Sequence, residues 1–213
     1  AGASLLGAAR AKPVTLNIYF EANCPFTQRY LLQQVAPLWE SPAWKQLVDF
    51  HWVPYGLATM TPAGVRCQHG DDECVGNRVE VCAQNQFGGD TDQTTDFILC
   101  MERNAANGMA CSFKSTYEQC APQLAQQFYE CARAPPSMAE LRKRGQETAI
   151  AQPQQVPWVA FPSALGYNIA GGDLKTQLCQ ELPHMSVPLP ADCRALVAPA
   201  RRLRAAANAT PGA

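Results

Sequence analysis

The chain has 213 residues, a size that suits one domain or one domain carrying a large insertion; at 47% hydrophobic, 16% charged and 8% aromatic it falls among folded globular proteins rather than disordered ones. Seventeen basic against eighteen acidic residues leave a net charge of −1, which gives no electrostatic footprint for a nucleic-acid backbone or an anionic membrane surface. No apolar run approaches the about 18 residues that span a bilayer, and the longest candidate, Val156 to Leu165, is interrupted by Pro157 and Pro162.

In chain order, the opening stretch Ala1–Ala9 reads either as the remains of a secretory leader or as a frayed terminus, within an N-terminal extension of residues 1–13. Val14–Phe20 is β-branched and aromatic and predicts a strand, followed at once by Cys24-Pro25 and an amphipathic helical stretch from Thr27 to Trp39. Leu47–Val53 is a second short apolar run, closed by Pro54 and Gly56, so the economical assignment is a βαβ unit with parallel pairing. From Thr59 to about Pro136 seven cysteines lie among Gly, Asn, Gln and Asp, with short helical patterns such as Tyr117 to Ala132; this predicts a mostly helical, disulfide-stapled insertion. A further helix is expected from an N-cap at Ser137 to about Ala151, then two short strands, Val156–Phe161 and Tyr167–Ala170, and a helix from about Gly172 to Glu181. The order βαβ, insertion, α, ββ, α is that of an α/β, thioredoxin-like core, with the domain spanning 14–193 and a tail at 194–213. In the tail, Asp192 to Ala207 reads as a short helix whose arginines form a solvated face, and Asn208 heads an N-glycosylation sequon.

Ten cysteines, at 24, 67, 74, 82, 100, 111, 120, 131, 179 and 193, carry the chemical information, and no two stand in C-x-x-C spacing. Such density without zinc-knuckle spacing implies an oxidising compartment and structural disulfides. Cys24 is set apart, at the end of a strand and one residue before a proline suited to the first turn of a helix. The orphan amide donors and positive dipole end there favour a thiolate, the nucleophilic form. Thr27, one turn along, is placed to hydrogen-bond the same sulfur. Two plainer readings stand beside these: Cys24 as a buried structural cysteine, and Pro157 as a residue that merely begins a strand. In a thioredoxin-like fold, though, Val156-Pro157 would be a cis peptide opposite the active-site helix, with the Val156 backbone open to an extended substrate strand. His69, between cysteines, raises a metal site, but the spacing of Cys67, Cys74 and Cys82 does not suit a tetrahedral knuckle, and none is expected.

The run from Cys67 to Cys82 resembles the signature of the gamma-interferon-inducible lysosomal thiol reductase family, C-Q-H-G-x-x-E-C-x-x-N-x-x-x-x-C, with Cys67, Gln68, His69, Gly70, Glu73, Cys74, Asn77 and Cys82 all in place. The likeness extends through Cys100-Met101-Glu102, Glu118-Gln119-Cys120, Glu130-Cys131, Val156–Val159 and the closing pair Cys179 and Cys193. The resemblance implies four disulfides among Cys67, Cys74, Cys82, Cys100, Cys120, Cys131, Cys179 and Cys193, with Cys179–Cys193 the first pair to name; Cys24 and Cys111 are left over, open to an internal bond, an intermolecular bridge or, the favoured expectation, both staying free. It also implies a mainly structural role for the signature, as a turn and short helix pinned by cysteines. The family's usual C-x-x-C is here Cys24-Pro25-Phe26-Thr27: the nucleophile is kept and the resolving cysteine is replaced. What the resemblance then implies is a thiol-disulfide oxidoreductase of the secretory, lysosomal or vacuolar system, or a secreted one. It would act on disulfide-containing or extended polypeptides through Cys24, with Thr27 supporting it and Pro25, Phe26, Val156 and Pro157 positioning substrate. No cofactor is expected beyond an external low-molecular-weight thiol as reductant. The alternative is a non-catalytic binding or scaffold protein on the same fold.

Overall fold

The computed structural model describes residues 11–107, 111–112 and 114–196. Strand β1 (Val14–Phe20) leads through Cys24 into α1 (Pro25–Tyr30), which continues through a π-helical turn (Leu31–Val35) into α2 (Ala36–Trp39); the short α3 (Pro42–Lys45) then feeds β2 (Val48–Pro54). A hairpin of β3 (Thr59–Thr61) and β4 (Gly64–Arg66) follows. Next come α4 (Asp71–Gln86), α5 (Thr91–Ala106), α6 (Lys114–Cys120), α7 (Ala125–Arg133) and α8 (Pro135–Ala151). The chain returns to the sheet as β5 (Trp158–Ala160) and ends its described part with α9 (Leu174–Glu181) and the 3-10 turn Leu182–Met185.

The main sheet has the order β2-β1-β5. β1 pairs with β2 in parallel from Val14↔Val48 to Phe20↔Pro54 and with β5 in antiparallel fashion through Asn17↔Ala160, Ile18↔Val159 and Tyr19↔Trp158. A central strand covered on both faces is largely apolar. β1 gives Leu16, Ile18 and Phe20 to the larger core with Leu31, Val35, Phe50 and Trp52, and Tyr19 to a smaller cluster with Val53, Ala151 and Trp158, while its one buried polar side chain, Asn17, donates to the Tyr19 hydroxyl. This is an α/β fold with a thioredoxin-like core, into which a helical, disulfide-rich segment is inserted between β2 and α8.

Four disulfides staple the helical insertion and the C-terminal segment. Cys67–Cys74 closes the turn before α4, Cys82–Cys131 joins α4 to α7, Cys100–Cys120 joins α5 to α6, and Cys179–Cys193 ties α9 to the segment after it. Cys24 and Cys111 are free and buried. Among the described residues no helix is long and apolar enough to cross a membrane.

Several local expectations are corrected. The helix expected over Tyr117–Ala132 is broken between α6 and α7, because Pro122 brings no amide donor and its ring collides with the preceding turn. Helix α8 begins two residues before Ser137, with prolines in its first turn, so Ser137 lies inside the helix and its hydroxyl donates to the carbonyls of Ala134 and Ala132. Tyr167–Ala170 is not a strand but runs into a 3-10 turn (Ile169–Gly171): the Asn168 side chain accepts from the Val159 amide at 2.9 Å and takes the place of a strand on that edge. The insertion, expected to be mostly helical, opens with the β3–β4 hairpin. Most of the stretch Asp192–Ala207, and Asn208, lie outside the described residues.

Non-reducing peptide mapping is expected to return the four pairs above, and thiol counting on denatured, unreduced protein is expected to find two thiols, Cys24 and Cys111.

Candidate active site at the end of strand β1

The site is built on the loop from Glu21 to Cys24. Cys24 is the N-cap of α1 in extended conformation, with Pro25 opening the helix, and it is only 3% exposed. Its own amide donates to the Glu21 carbonyl at 3.2 Å, and its carbonyl accepts from the Gln28 amide at 3.0 Å. Thr27 is fully buried one turn on, but its hydroxyl has no hydrogen-bond partner among the described residues, so the bond expected between it and the Cys24 sulfur is not made. Phe26, by contrast, stands 65% exposed at the helix start. The Val156-Pro157 peptide is cis, and both residues line a groove of about 390 Å³ together with Phe26, Arg29, Tyr30 and Gln33. The largest cavity described, about 890 Å³, lies instead beside Lys12, Trp39 and Leu47, at the opposite end of β1 and β2 from Cys24.

Helix α4 and the turn before it form the other wall. Gly70, with φ of 88°, turns the chain into α4 in a conformation that L side chains rarely adopt, and Asp71, Asp72 and Glu73 in the first turn complement the positive end of the helix dipole. Glu73, fully buried, grips His69 twice: one carboxylate oxygen accepts from the His69 amide at 3.1 Å, and the other bonds ring Nδ1. Asn77, one turn further, accepts the Ala22 amide at 2.9 Å and so fastens α4 to the Cys24 loop. A side chain at Gly76 would lie 2.9 Å from the Ala22 Cβ, which shows how closely helix and loop pack.

These contacts bring His69 to Cys24. The Cys24 sulfur, a ring nitrogen of His69 and a carboxylate oxygen of Glu21 lie within 4.8 Å of one another. Neither His69 nor Glu21 was anticipated as a site residue. The signature could have raised His69 had its turn been known to face β1; the signature is therefore the wall of the site as well as a structural pin, and its helix is a long one. Of the other histidines, His51 bonds Glu147 and His184 lies in the 3-10 turn after α9, neither in this cluster.

The surroundings are rich in buried carboxyls. Glu21 accepts from the Leu57 amide at 2.7 Å through one oxygen, while the other has no hydrogen bond and lies 3.7 Å from His69 Nδ1. Burial, reinforced by the Glu73 charge, pushes its carboxyl up to about 7 against the opposing pull of the Leu57 amide and His69. Glu80 on α4 and Glu102 on α5 are fully buried with no hydrogen-bond partner among the described residues. Burial first, then neighbouring carboxylates, raises both well above the ordinary carboxyl range. Cys111 is raised as well, by burial and then by Glu102, Glu80 and Glu73; its thiol donates to the Ala22 carbonyl at 3.0 Å, the posture of an inert, structural cysteine.

The chemistry available is that of one free sulfur at a helix start with an imidazole held beside it; the groove of Val156 and Pro157 opens beside Phe26, and Cys24 is not among its lining residues. No second thiol stands where one turn of helix would present a resolving group, because Thr27 fills that place.

A pH test follows from Glu80 and Glu102. A carboxyl raised on folding keeps its proton in the native state after the unfolded chain has lost it, so its contribution is most favourable below about pH 4.3 and declines as pH rises above that value. Glu80→Gln and Glu102→Gln are each expected to raise the unfolding midpoint relative to the parent more at about pH 7.5 than at about pH 5. Differential scanning calorimetry at the two pH values checks this; a difference independent of pH would show that the two groups do not carry the shift.

A family model described as Gamma interferon inducible lysosomal thiol reductase (GILT) matches residues 15–124. The chain is similar to GILT-like protein C02D5.2 of Caenorhabditis elegans, with 28% identity over 192 residues, 85% of this chain and 55% of that protein. It is also similar to the Gamma-interferon-inducible lysosomal thiol reductase-like protein of Anopheles gambiae, with 26% identity over 198 residues, 84% of this chain and 80% of that one. Among solved structures it is similar to the oxidized T176V DsbA1 mutant, at 12% identity and a TM-score of 0.43 over 74% of each chain.

Proposed function

The chain belongs to the gamma interferon inducible lysosomal thiol reductase family, and on that footing we propose that it exchanges disulfides through one cysteine, Cys24. The observation that carries this reading is the free Cys24 at the start of α1, with His69 beside it and the groove of Phe26, Val156 and Pro157 alongside. In the first step the Cys24 thiolate attacks one sulfur of a substrate disulfide. A mixed disulfide forms between Cys24 and that sulfur, the substrate's sulfur–sulfur bond breaks, and the second substrate sulfur leaves as a thiolate that takes up a proton. A protonated His69 would place a cation beside the anionic sulfur, which is how the Glu73 grip on the ring serves the chemistry.

In a dithiol enzyme a second cysteine would then attack Cys24 internally. Thr27 has no sulfur, so release falls to an external low-molecular-weight thiol, or to another thiol of the substrate, in which case the outcome is isomerisation. Each release breaks the Cys24 mixed disulfide, forms a new disulfide between incoming thiol and substrate, and returns Cys24 reduced. Disulfide-containing polypeptides that lie extended in the groove are the substrate class, and the family and the cysteine content support a lysosomal, vacuolar or secreted setting. The opposing reading, a binding or scaffold module, is favoured by one observation: Cys24 is almost completely buried.

Mass spectrometry after incubation with a small disulfide separates the two. One adduct on Cys24 is expected, absent in Cys24→Ser, with turnover that needs added thiol and rises with its concentration. Thr27→Cys is expected to raise turnover several-fold by restoring intramolecular release, and His69→Ala to slow adduct formation by roughly tenfold, the factor that loss of about 1.4 kcal/mol of charge stabilisation gives. A parent protein that forms no adduct, together with a Thr27→Cys variant that gains nothing, would leave the binding module as the reading that stands.

A further inference from the structure

We propose that Glu21, Cys24 and His69 form a binding site for a thiophilic divalent cation, with zinc as the chemical match, that reversibly caps the Cys24 sulfur. The inference goes beyond disulfide exchange and does not depend on it.

The donor set is the first ground. A thiol sulfur, an imidazole nitrogen and a carboxylate oxygen are the three ligand types that zinc takes, and here they lie within 4.8 Å of one another. Ligands of a tetrahedral zinc ion stand roughly 3.3–3.6 Å apart, so rotamer adjustments of about an ångström close the triangle. Three protein donors leave a fourth position open for water, and the half-exposed His69, whose side chain is 39% accessible, gives the ion a way in.

The charge balance is the second ground. Glu21 and Glu73 are both fully buried, and among the described residues no lysine or arginine pairs with either; the His69 imidazole is the group that both face. The free oxygen of Glu21 makes no hydrogen bond although it is buried and faces His69. An orphaned carboxylate oxygen aimed at a thiol and an imidazole is what a cation would satisfy. Outer contacts are also in place: the Leu57 amide fixes the other oxygen of Glu21, and Glu73 holds the His69 ring in the way that carboxylates orient metal-binding histidines. The cysteines flanking His69 are excluded as ligands because Cys67 and Cys74 are bonded to each other and Cys82 to Cys131. The sulfur comes instead from a loop distant in sequence.

Binding exchanges the thiol proton for the metal: a sulfur–metal bond forms at Cys24, the S–H bond breaks, and the proton leaves to solvent. No electron moves, and the capped sulfur cannot attack a disulfide until the ion departs.

The test uses the whole chain with its four disulfides intact, freed of metal by a chelator under anaerobic conditions. Cobalt(II) is expected to bind one equivalent with a sulfur-to-metal charge-transfer absorption that zinc abolishes, and zinc is expected to slow alkylation of Cys24 at least tenfold. Cys24→Ser should lose the absorption and Cys111→Ser should keep it, while His69→Gln and Glu21→Gln should each weaken zinc binding by about tenfold or more. The site is overturned if the unsubstituted protein shows no cobalt absorption, if zinc leaves Cys24 alkylation unchanged, or if Cys111→Ser rather than Cys24→Ser removes the signal. It is equally overturned if both the His69 and Glu21 variants bind zinc as the parent does, since a bare thiol would then suffice. Protection of Cys24 is read on the unsubstituted protein, so a variant that fails to fold does not spare the proposal. Disulfide adduct formation by the metal-free protein is measured in parallel: adduct without metal binding removes the metal site alone, and metal binding without adduct removes the exchange reading alone.

Discussion

The hydrogen bond from the Ala22 amide to Asn77 joins the two halves of the molecule at the point where its chemistry sits. The loop between β1 and α1 is too short to satisfy its own polar groups, and a buried backbone donor or acceptor without a partner is costly. The insertion supplies what is missing. Asn77 takes the Ala22 amide, the Cys111 thiol donates to the Ala22 carbonyl, and the Cys111 amide donates to the Asn23 side chain at 3.3 Å. Gly56 serves from the β2 side, because any side chain there would strike Glu21 at 2.3 Å. The helical insertion is therefore a structural condition for the position of Cys24 rather than an appendage to the sheet.

This arrangement also explains why the signature residues stand at their spacings. Cys67 and Cys74 close the turn, Gly70 allows it, Glu73 holds His69 by backbone and ring, and Asn77 reaches the loop one helical turn later. Each position performs a local task, and the sum is that an imidazole is presented to the sulfur at the start of α1. Three of the disulfides restrain the turn before α4 and helices α4 to α7, so the wall of the site is held by covalent bonds as well as by hydrogen bonds.

Thr27, one turn along α1 from Cys24, sits in an intact frame. Thr27 is buried, its hydroxyl is unpartnered among the described residues, and the β1–α1 junction keeps the form that a thioredoxin-like core gives it. The groups beside Cys24 are Glu21 on its own loop, His69 on the facing wall and the buried carboxyls behind them. Glu80 and Glu102 sit in the core without partners among the described residues, and burial, then neighbouring carboxylates, raises both well above the ordinary carboxyl range; the resulting dependence on pH has the opposite sense to that of a paired carboxylate.

Local patterning was enough to read β1, the helix after it and the parallel partner β2, because strand alternation, Pro25 and the closing Pro54 act over a few residues. It was enough, too, to place Cys24 at the start of a helix with Pro25 behind it. Where short-range signals competed, reading failed: Pro122 outweighed the helical period between α6 and α7, and the Asn168 side chain replaced a backbone strand beside β5. The approach of His69 and Glu21 to Cys24 was not legible. Glu21 shares a loop with Cys24, but His69 arrives from a turn beyond β2, and only the packing of α4 against Ala22, with Gly76 leaving room for it, decides that distance. Sequence by itself determined which residues could form strands, helix starts and an isolated cysteine at a helix start, since those follow from near neighbours; which groups surround that sulfur was decided by tertiary structure, because a contact between distant segments is set by the packing of whole elements and leaves no periodic trace in the chain.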